Sequence, residues 1–217
     1  MFDLRLCHPS NIVICGPSGS GKTNIILELL RARQQMFDVA AAQVLFFYSE
    51  FQESYQRMRD ENLVDKFIQG IPELDDIKRL LEPKQSLNGT ICIFDDLLSS
   101  TSSITSEMFT VIGHHYKTTN IFTTQSLFYS SKEYRTMMLN AHYMFLCKSP
   151  RDSSQIINLA KQMFPYNTRF LTQVYKHVTA KPYSYLFLDF HQSQLEYLRV
   201  RANIFPHEKP MSVYFLR

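Results

Sequence analysis

Asn11-Ile12-Val13-Ile14-Cys15-Gly16-Pro17-Ser18-Gly19-Ser20-Gly21-Lys22-Thr23 is the stretch that decides the fold. Its first five residues are a short β-branched run that empties into a glycine turn, as a first core strand does. The next eight match G-x-x-x-x-G-K-[ST]. From Lys22 to Phe37, Ile25, Ile26, Leu29, Leu30 and Met36 recur at helical spacing. A strand before the motif and an amphipathic helix after it are the context the chemistry needs. The glycines let successive N–H groups curl inward on phosphate oxygens. The helix beginning near Lys22 aims its positive dipole end at the same anion. Gly16 to Thr23, with Asn24 next to them, are therefore the expected cofactor contacts. Lys22 is expected to reach the β- and γ-phosphates of ATP, and Thr23 to place its hydroxyl on Mg²⁺.

A second motif lies downstream. Thr90-Ile91-Cys92-Ile93-Phe94 reads as a buried strand ending on Asp95-Asp96. At the C-terminal end of a core strand, Asp95 is placed to hold Mg²⁺ opposite the phosphate loop. Asp96 would orient or deprotonate the attacking water. Many motor ATPases carry glutamate there, so Glu50, at the end of the preceding apolar run, is an alternative base. Gln125 closes the run Asn120 to Thr124, where a polar side chain can sense the γ-phosphate.

Strand and helix signals alternate along the whole chain. Val44 to Tyr48 is a continuous apolar run, the pattern of a strand covered on both faces. Glu53–Phe67 and Pro72–Leu81 read as surface helices, and a Ser/Thr-rich loop, Ser99–Ser103, leads into a helix over Ile104–Tyr116. His142–Cys147 and Tyr183–Phe190 read as strands, and Met211–Leu216 as an edge strand. Asp152 with Gln155 resembles a capping box for a helix over Ser153–Phe164, and Asn167–Val178 is a further helix. The expectation is an α/β fold of the P-loop NTPase class, a three-layer αβα stack with a mostly parallel central sheet. It includes an extra strand, Val44–Tyr48, between the Walker A and Walker B strands. Nucleotide kinases usually lack that strand and close an Arg-rich lid, which this sequence does not show.

At 217 residues the chain suits one domain, 1–217, with 180–217 as a strand-containing extension of it. Hydrophobic residues at 45% and charged residues at 20% exclude a disordered or fibrous chain. The net charge of +3 permits a nucleic-acid partner without demanding one. Cys7, Cys15, Cys92 and Cys147 have no paired spacing, so a reducing, intracellular compartment is expected rather than a disulfide framework. His114-His115 point in different directions on a helix and do not suggest a metal site. No apolar stretch is long enough to cross a bilayer, so no membrane partner is expected.

With these residues in place, the chain resembles the FtsK–HerA superfamily, specifically its viral genome-packaging branch of poxvirus, polinton, adintovirus and virophage type. The resemblance runs from the phosphate loop to the tail. It is carried by Ile91–Asp96, Thr123-Thr124-Gln125, Leu139–Tyr143, Ser149-Pro150-Arg151-Asp152 and Gln155–Pro165, the last segments being the more specific. It implies a homo-oligomeric ring, pentamer or hexamer, that pumps double-stranded DNA into a preformed capsid and docks on a capsid or portal protein at the vertex. ATP would sit between subunits, and a neighbour's arginine would stabilise the transferring phosphoryl group. Arg135 and Arg151 are both candidates for that finger. Either Lys132 and Arg135, in the segment after Gln125, or Lys117, just before that strand, could line a pore that contacts DNA phosphates without reading sequence. Arg199 and Arg201 in the tail could meet the capsid partner. The alternatives are a helicase or conjugation-type translocase of the same superfamily, a nucleoside or nucleotide kinase, and a non-hydrolysing scaffold.

Overall fold

The computed structural model describes residues 3–85, 87–97, 103–208 and 210–216. The Ser99–Ser103 loop lies, except for Ser103, outside the described residues. Strands β1 (Asn11–Cys15), β2 (Gln43–Tyr48), β3 (Lys66–Gln69), β4 (Thr90–Asp95), β5 (Thr118–Thr124) and β6 (Tyr143–Cys147) alternate with helices. Those helices are α1 (Lys22–Arg31), α2 (Arg33–Met36), α3 (Glu53–Asp60), α4 (Leu74–Gln85), α5 (Ser103–Glu107), α6 (Gly113–His115) and α7 (Lys132–Leu139). Then come α8 (Ser154–Met163), α9 (Thr168–Val178), β7 (Tyr185–Asp189), β8 (Val200–Ala202) and β9 (Ser212–Tyr214).

Among the described residues the strands make one nine-stranded sheet, ordered β3-β2-β4-β5-β1-β6-β7-β8-β9. The six from β3 to β6 run parallel. The last three are added antiparallel. The period-2 alternation of β1 divides its side chains between two apolar layers. Val13 and Cys15 enter the layer with Ile77 of α4, Met137 of α7, Leu159 of α8 and Leu171 of α9. Ile12 and Ile14 enter the other, against Leu29 of α1, Met36 of α2 and Tyr55 of α3. This is the expected three-layer αβα fold with a mostly parallel sheet. The extra strand β2 precedes β4 in the chain but lies beyond it in the sheet. The strand that stands between β1 and β4 in space is β5. That order places Gln125, at the end of β5, between the phosphate loop and Asp95.

Three local expectations need correction. The helix read over Glu53–Phe67 stops at Asp60; Asn62 turns left-handed at φ 51, and β3 follows as a parallel edge strand. The helix from Lys22 breaks at Ala32 into α1 and α2. The helix after Asp152 begins at Ser154, with Ser153 at its cap. The Asp152 carboxylate accepts from the Ser154 N–H at 3.0 Å and from the Gln155 side-chain amide at 2.7 Å, so the glutamine bonds the Asp152 side chain and not its backbone N–H.

Between α5 and α6 the helix widens into a π turn, Met108–Ile112. Met108 O accepts the N–H of Gly113, five residues on, and also the Asn120 amide at 2.8 Å. A Cβ on Gly113 would stand 2.8 Å from Met108 O, so only glycine fits there. Asn11 is tied on every side. Its amide donates to Phe109 O (2.8 Å) and Asn140 O (2.9 Å), its carbonyl accepts from Asn120 (3.0 Å), and its N–H meets His142 (2.9 Å). Two strand asparagines thus bond the carbonyls of the widened turn, which is how a π turn persists in a core.

The tail arginines are also corrected. Arg201 is 1% exposed and cannot reach a partner. Its guanidinium pairs with Asp189 Oδ2 at 2.5 Å, donates to Leu4 O at 3.2 Å and lies 4.8 Å from the centre of the Phe187 ring. Arg199 is turned onto the backbone carbonyls of Asp189 and His191 and onto Glu196. Both arginines hold β7 and β8 together.

His8 is buried between Thr119 Oγ1 (2.7 Å) and Asn88 O (2.6 Å). Burial holds its pKa below the usual value, and burial with the neighbouring His191 and His114 does the same to His142. The unfolded chain takes up protons near pH 6.5, where the folded state resists them. Stability contributed by the neutral rings is therefore full above pH 6.5 and lost as pH falls through the depressed folded values. The thermal midpoint is expected to drop as pH falls below about 6.5 through the depressed folded values, and His8→Gln should flatten that drop in a calorimetric pH series.

Candidate functional site

The phosphate loop leaves β1 with pairing intact: Gly16 N–H donates to Thr124 O at 3.0 Å. A Cβ on Gly16 would lie 2.5 Å from Ser20 Oγ and 2.6 Å from Cys147 Cβ, so the loop closes only over glycine. Gly21 caps α1, whose first internal bond runs from Ile25 N–H to Gly21 O at 3.0 Å. The N–H groups of Lys22, Thr23 and Asn24 precede that bond and are directed out of the helix end. No acidic residue occupies the first turn. That combination suits an anion. Lys22 Nζ is held across the loop, donating to Gly16 O (2.8 Å) and Pro17 O (3.0 Å).

Opposite the loop, Asp95 is 2% exposed and fixed by three hydroxyls. Thr123 donates to Oδ1 at 2.6 Å, while Tyr55 and Thr23 donate to Oδ2 at 2.9 and 3.3 Å. Burial and the Asp95 carboxylate push the Tyr55 phenol well above its ordinary pKa, so it stays a neutral donor. Thr123 Oγ1 also accepts the Asp96 N–H at 3.1 Å. Asp96 itself turns left-handed, φ 55, a conformation aspartate tolerates, and its side chain leaves the sheet for solvent.

These groups meet around a cavity of about 280 Å³. Ser18, Gly19, Gly21, Lys22, Thr23 and Asn24 line one side; Asp95, Asp96 and Gln125 line the other. Gly16, Pro17 and Ser20 build the loop without lining the cavity. Gln52, Ser54 and Tyr183 complete the wall, three residues that sequence reasoning passed over. Glu50 is exposed and is not among the lining residues. Arg135 on α7 and Arg151 before α8 are exposed and also stand outside the cavity. Lys117 precedes β5, and Lys132 begins α7 after the loop that follows β5.

The donors suit a hard divalent cation. Thr23 Oγ1 and an Asp95 oxygen, 3.3 Å apart, form a hydroxyl–carboxylate pair of the kind that holds Mg²⁺ beside substrate phosphates. Thr123 and Tyr55 orient that carboxylate. The signal for Thr123 was present in the sequence as a polar pair ending a buried run. Tyr55 was hidden in a helix read as surface, although Tyr55 and Met58 are spaced to share a buried face.

Gln155 ties the loop after Gln125 to α8. Its carbonyl accepts from Leu127 N–H at 2.5 Å and Ser126 Oγ at 3.3 Å, while its amide donates to Asp152 at 2.7 Å. Cys15 and Cys147 flank the phosphate loop, and burial pushes their thiols up to about 12 and about 11.

Thr123→Val keeps shape and removes both bonds that set Asp95 and Asp96. Loss of such an orienting partner is expected to lower turnover about 10- to 100-fold. Steady-state nucleotide hydrolysis, with KM little changed, is the measurement.

No family model matches this chain, and no curated protein matches it. Solved structures do. The genome packaging NTPase B204 from Sulfolobus turreted icosahedral virus 2, solved with ATP-gammaS, is similar at TM-score 0.51 and 12% identity, over 95% of this chain and 97% of that one. The cytoplasmic domain of EssC is similar at TM-score 0.51 and 14% identity, over 69% of this chain and 35% of that one. The cytoplasmic domain of the Thermomonospora curvata Type VII secretion ATPase EccC is similar at TM-score 0.51 and 12% identity. It matches over 89% of this chain and 25% of its own length. At these identities the likeness establishes the fold, that of the P-loop NTPases, and it accords with the resemblance read from the sequence.

Proposed function

We propose that this chain is a Mg²⁺-dependent ATPase of FtsK–HerA type that works as a ring to drive double-stranded DNA, with genome packaging into a preformed capsid as its task. The observation that carries the reading is the buried Asp95, fixed by Thr23, Tyr55 and Thr123 across from the phosphate loop, with Gln125 on the strand between. A packaging NTPase whose whole length matches this chain supports the task.

In this reading the N–H groups of Lys22, Thr23 and Asn24 bind phosphate oxygens, and Lys22 follows the charge that develops on the transferring group. Thr23 and Asp95 would hold Mg²⁺, which neutralises phosphate charge when bound. Asp96 and Gln125, both in the cavity, orient the attacking water. An arginine from outside, Arg135 or Arg151, completes the site from the next subunit.

The charge distribution supports a head-to-tail ring. On the β6–α8–α9 flank, Lys148, Arg151, Lys161, Arg169, Lys176 and Lys181 are opposed by Asp152 alone in that stretch. Among the described residues none of these six forms an ion pair. Across the sheet, acids outnumber bases from Glu50 to Glu82. Two different, complementary surfaces are what a heterologous, ring-closing contact requires.

The test is ATP hydrolysis across a protein concentration series, with and without duplex DNA, at low and high salt. The expected result is specific activity that rises with concentration and DNA and falls with salt. Activity lost in Arg135→Ala or Arg151→Ala should return on mixing with Asp96→Asn. Activity indifferent to concentration and DNA would overturn the motor. Transfer of phosphate to a nucleoside monophosphate would replace it with a kinase.

A further inference from the structure

Tyr183 is absent from every part of the chemistry above, yet it stands in the cavity wall. It belongs to Lys181-Pro182-Tyr183-Ser184, the turn joining α9 to β7. Proline fixes the second position of this turn, and the third is left-handed, φ 60. Glycine or asparagine is the ordinary occupant of such a position. A tyrosine there strains the backbone, and strain of this kind persists at sites where a side chain must be presented. The turn is closed by Ser184 Oγ donating to Lys181 O at 2.7 Å. It throws the ring toward the phosphate loop: Cδ1 comes within 3.6 Å of where a Gly21 Cβ would be. The side chain nevertheless remains 71% exposed, so packing is not what holds a tyrosine here.

The sheet order says which part of a nucleotide this ring meets. Asp95 and Gln125 end β4 and β5, on one side of β1; Tyr183 precedes β7, on the other side, past β6. The γ-phosphate end of a nucleotide lies toward Asp95 and Gln125. Its nucleoside end therefore leaves across Asn24 toward Tyr183. We infer that Tyr183 is the platform on which the purine base stacks, and so the residue that turns a phosphate-binding loop into a nucleoside triphosphate site. This rests on the nucleotide site proposed above. Stacking on a ring face does not read the base edge, so GTP should gain from Tyr183 about as much as ATP.

The experiment measures equilibrium binding of ATP, GTP and inorganic tripolyphosphate, each with Mg²⁺, to the full chain and to Tyr183→Phe, Tyr183→Gly and Lys22→Ala. Thermal midpoints are recorded alongside. Tyr183→Phe keeps the ring and should bind like the parent. Tyr183→Gly should weaken ATP and GTP about tenfold, leave tripolyphosphate unchanged, and hold or raise the midpoint because glycine accepts the turn without strain. Equal ATP affinity in Tyr183→Gly and the parent, with Lys22→Ala still defective, would overturn the platform and leave the site intact. Equal loss of ATP and tripolyphosphate would make Tyr183 a phosphate contact instead, and overturn it too. A parent that binds no nucleotide would remove the site proposal itself.

Discussion

Lys22→Ala is expected to lower ATP turnover about 10³-fold while leaving the fold within about 1 kcal/mol of the parent. The two halves of that result come from different atoms. Hydrolysis needs a cation that moves with charge on the transferring phosphoryl group, and among the described residues no other lysine or arginine lines the cavity. Stability loses only two bonds, to Gly16 O and Pro17 O, from a half-buried side chain. The helix N-terminus survives the substitution, so nucleotide affinity should fall less than turnover. Single-turnover hydrolysis beside a binding isotherm separates the two. Turnover within tenfold of the parent would mean that the phosphate loop is not where the chemistry occurs.

Asp189→Ala is expected to be the most destabilising single change outside the apolar core, by about 3–5 kcal/mol. The carboxylate takes the Arg201 guanidinium at 2.5 Å, the Gln194 amide at 2.8 Å and the His191 N–H at 3.0 Å. Removing it strands a guanidinium that is 1% exposed. The arginine would have to drag water into the β7–β8 layer or tear the strands apart. Replacing both partners, Asp189→Leu with Arg201→Met, takes the stranded charge away and should recover most of the loss. Urea unfolding of the two single variants and the double variant measures this as a cycle. If the double variant is as unstable as Asp189→Ala, then packing rather than charge burial governs the strand pair.

The fold was legible because its signals are local and redundant. A β-branched run, a glycine turn and a 3.6-residue period sit next to one another from Asn11 to Met36, and each alone points the same way. The parallel strands β2, β4 and β6 announced themselves as near-unbroken apolar runs, since both of their faces are covered. What escaped was written in weaker signs. β3 is four residues at a sheet edge, half-exposed, with no period long enough to detect. The left-handed Asn62 was its only announcement. The site was half legible: motif residues were found, but Thr123 and Tyr55 act through Asp95 and carry no motif of their own. Arg201 was misread because arginine is usually a surface residue. Only the antiparallel return of β8 onto β7 buries it, and no linear pattern encodes that return.

The asparagine knot at the foot of β1 has a mechanical consequence. Asn11 is bolted to three neighbouring segments, whereas the opposite end of the same strand carries the phosphate loop. β1 is a cantilever, clamped at its root and loaded at its tip. In the motor proposed above, force arising from nucleotide chemistry at that tip would not be relieved by the strand sliding in its sheet. It would pass sideways, from Gly16 onto Thr124, into Ser126 and Leu127 just after Gln125, and through Gln155 to α8. The basic flank that would face the next subunit begins there.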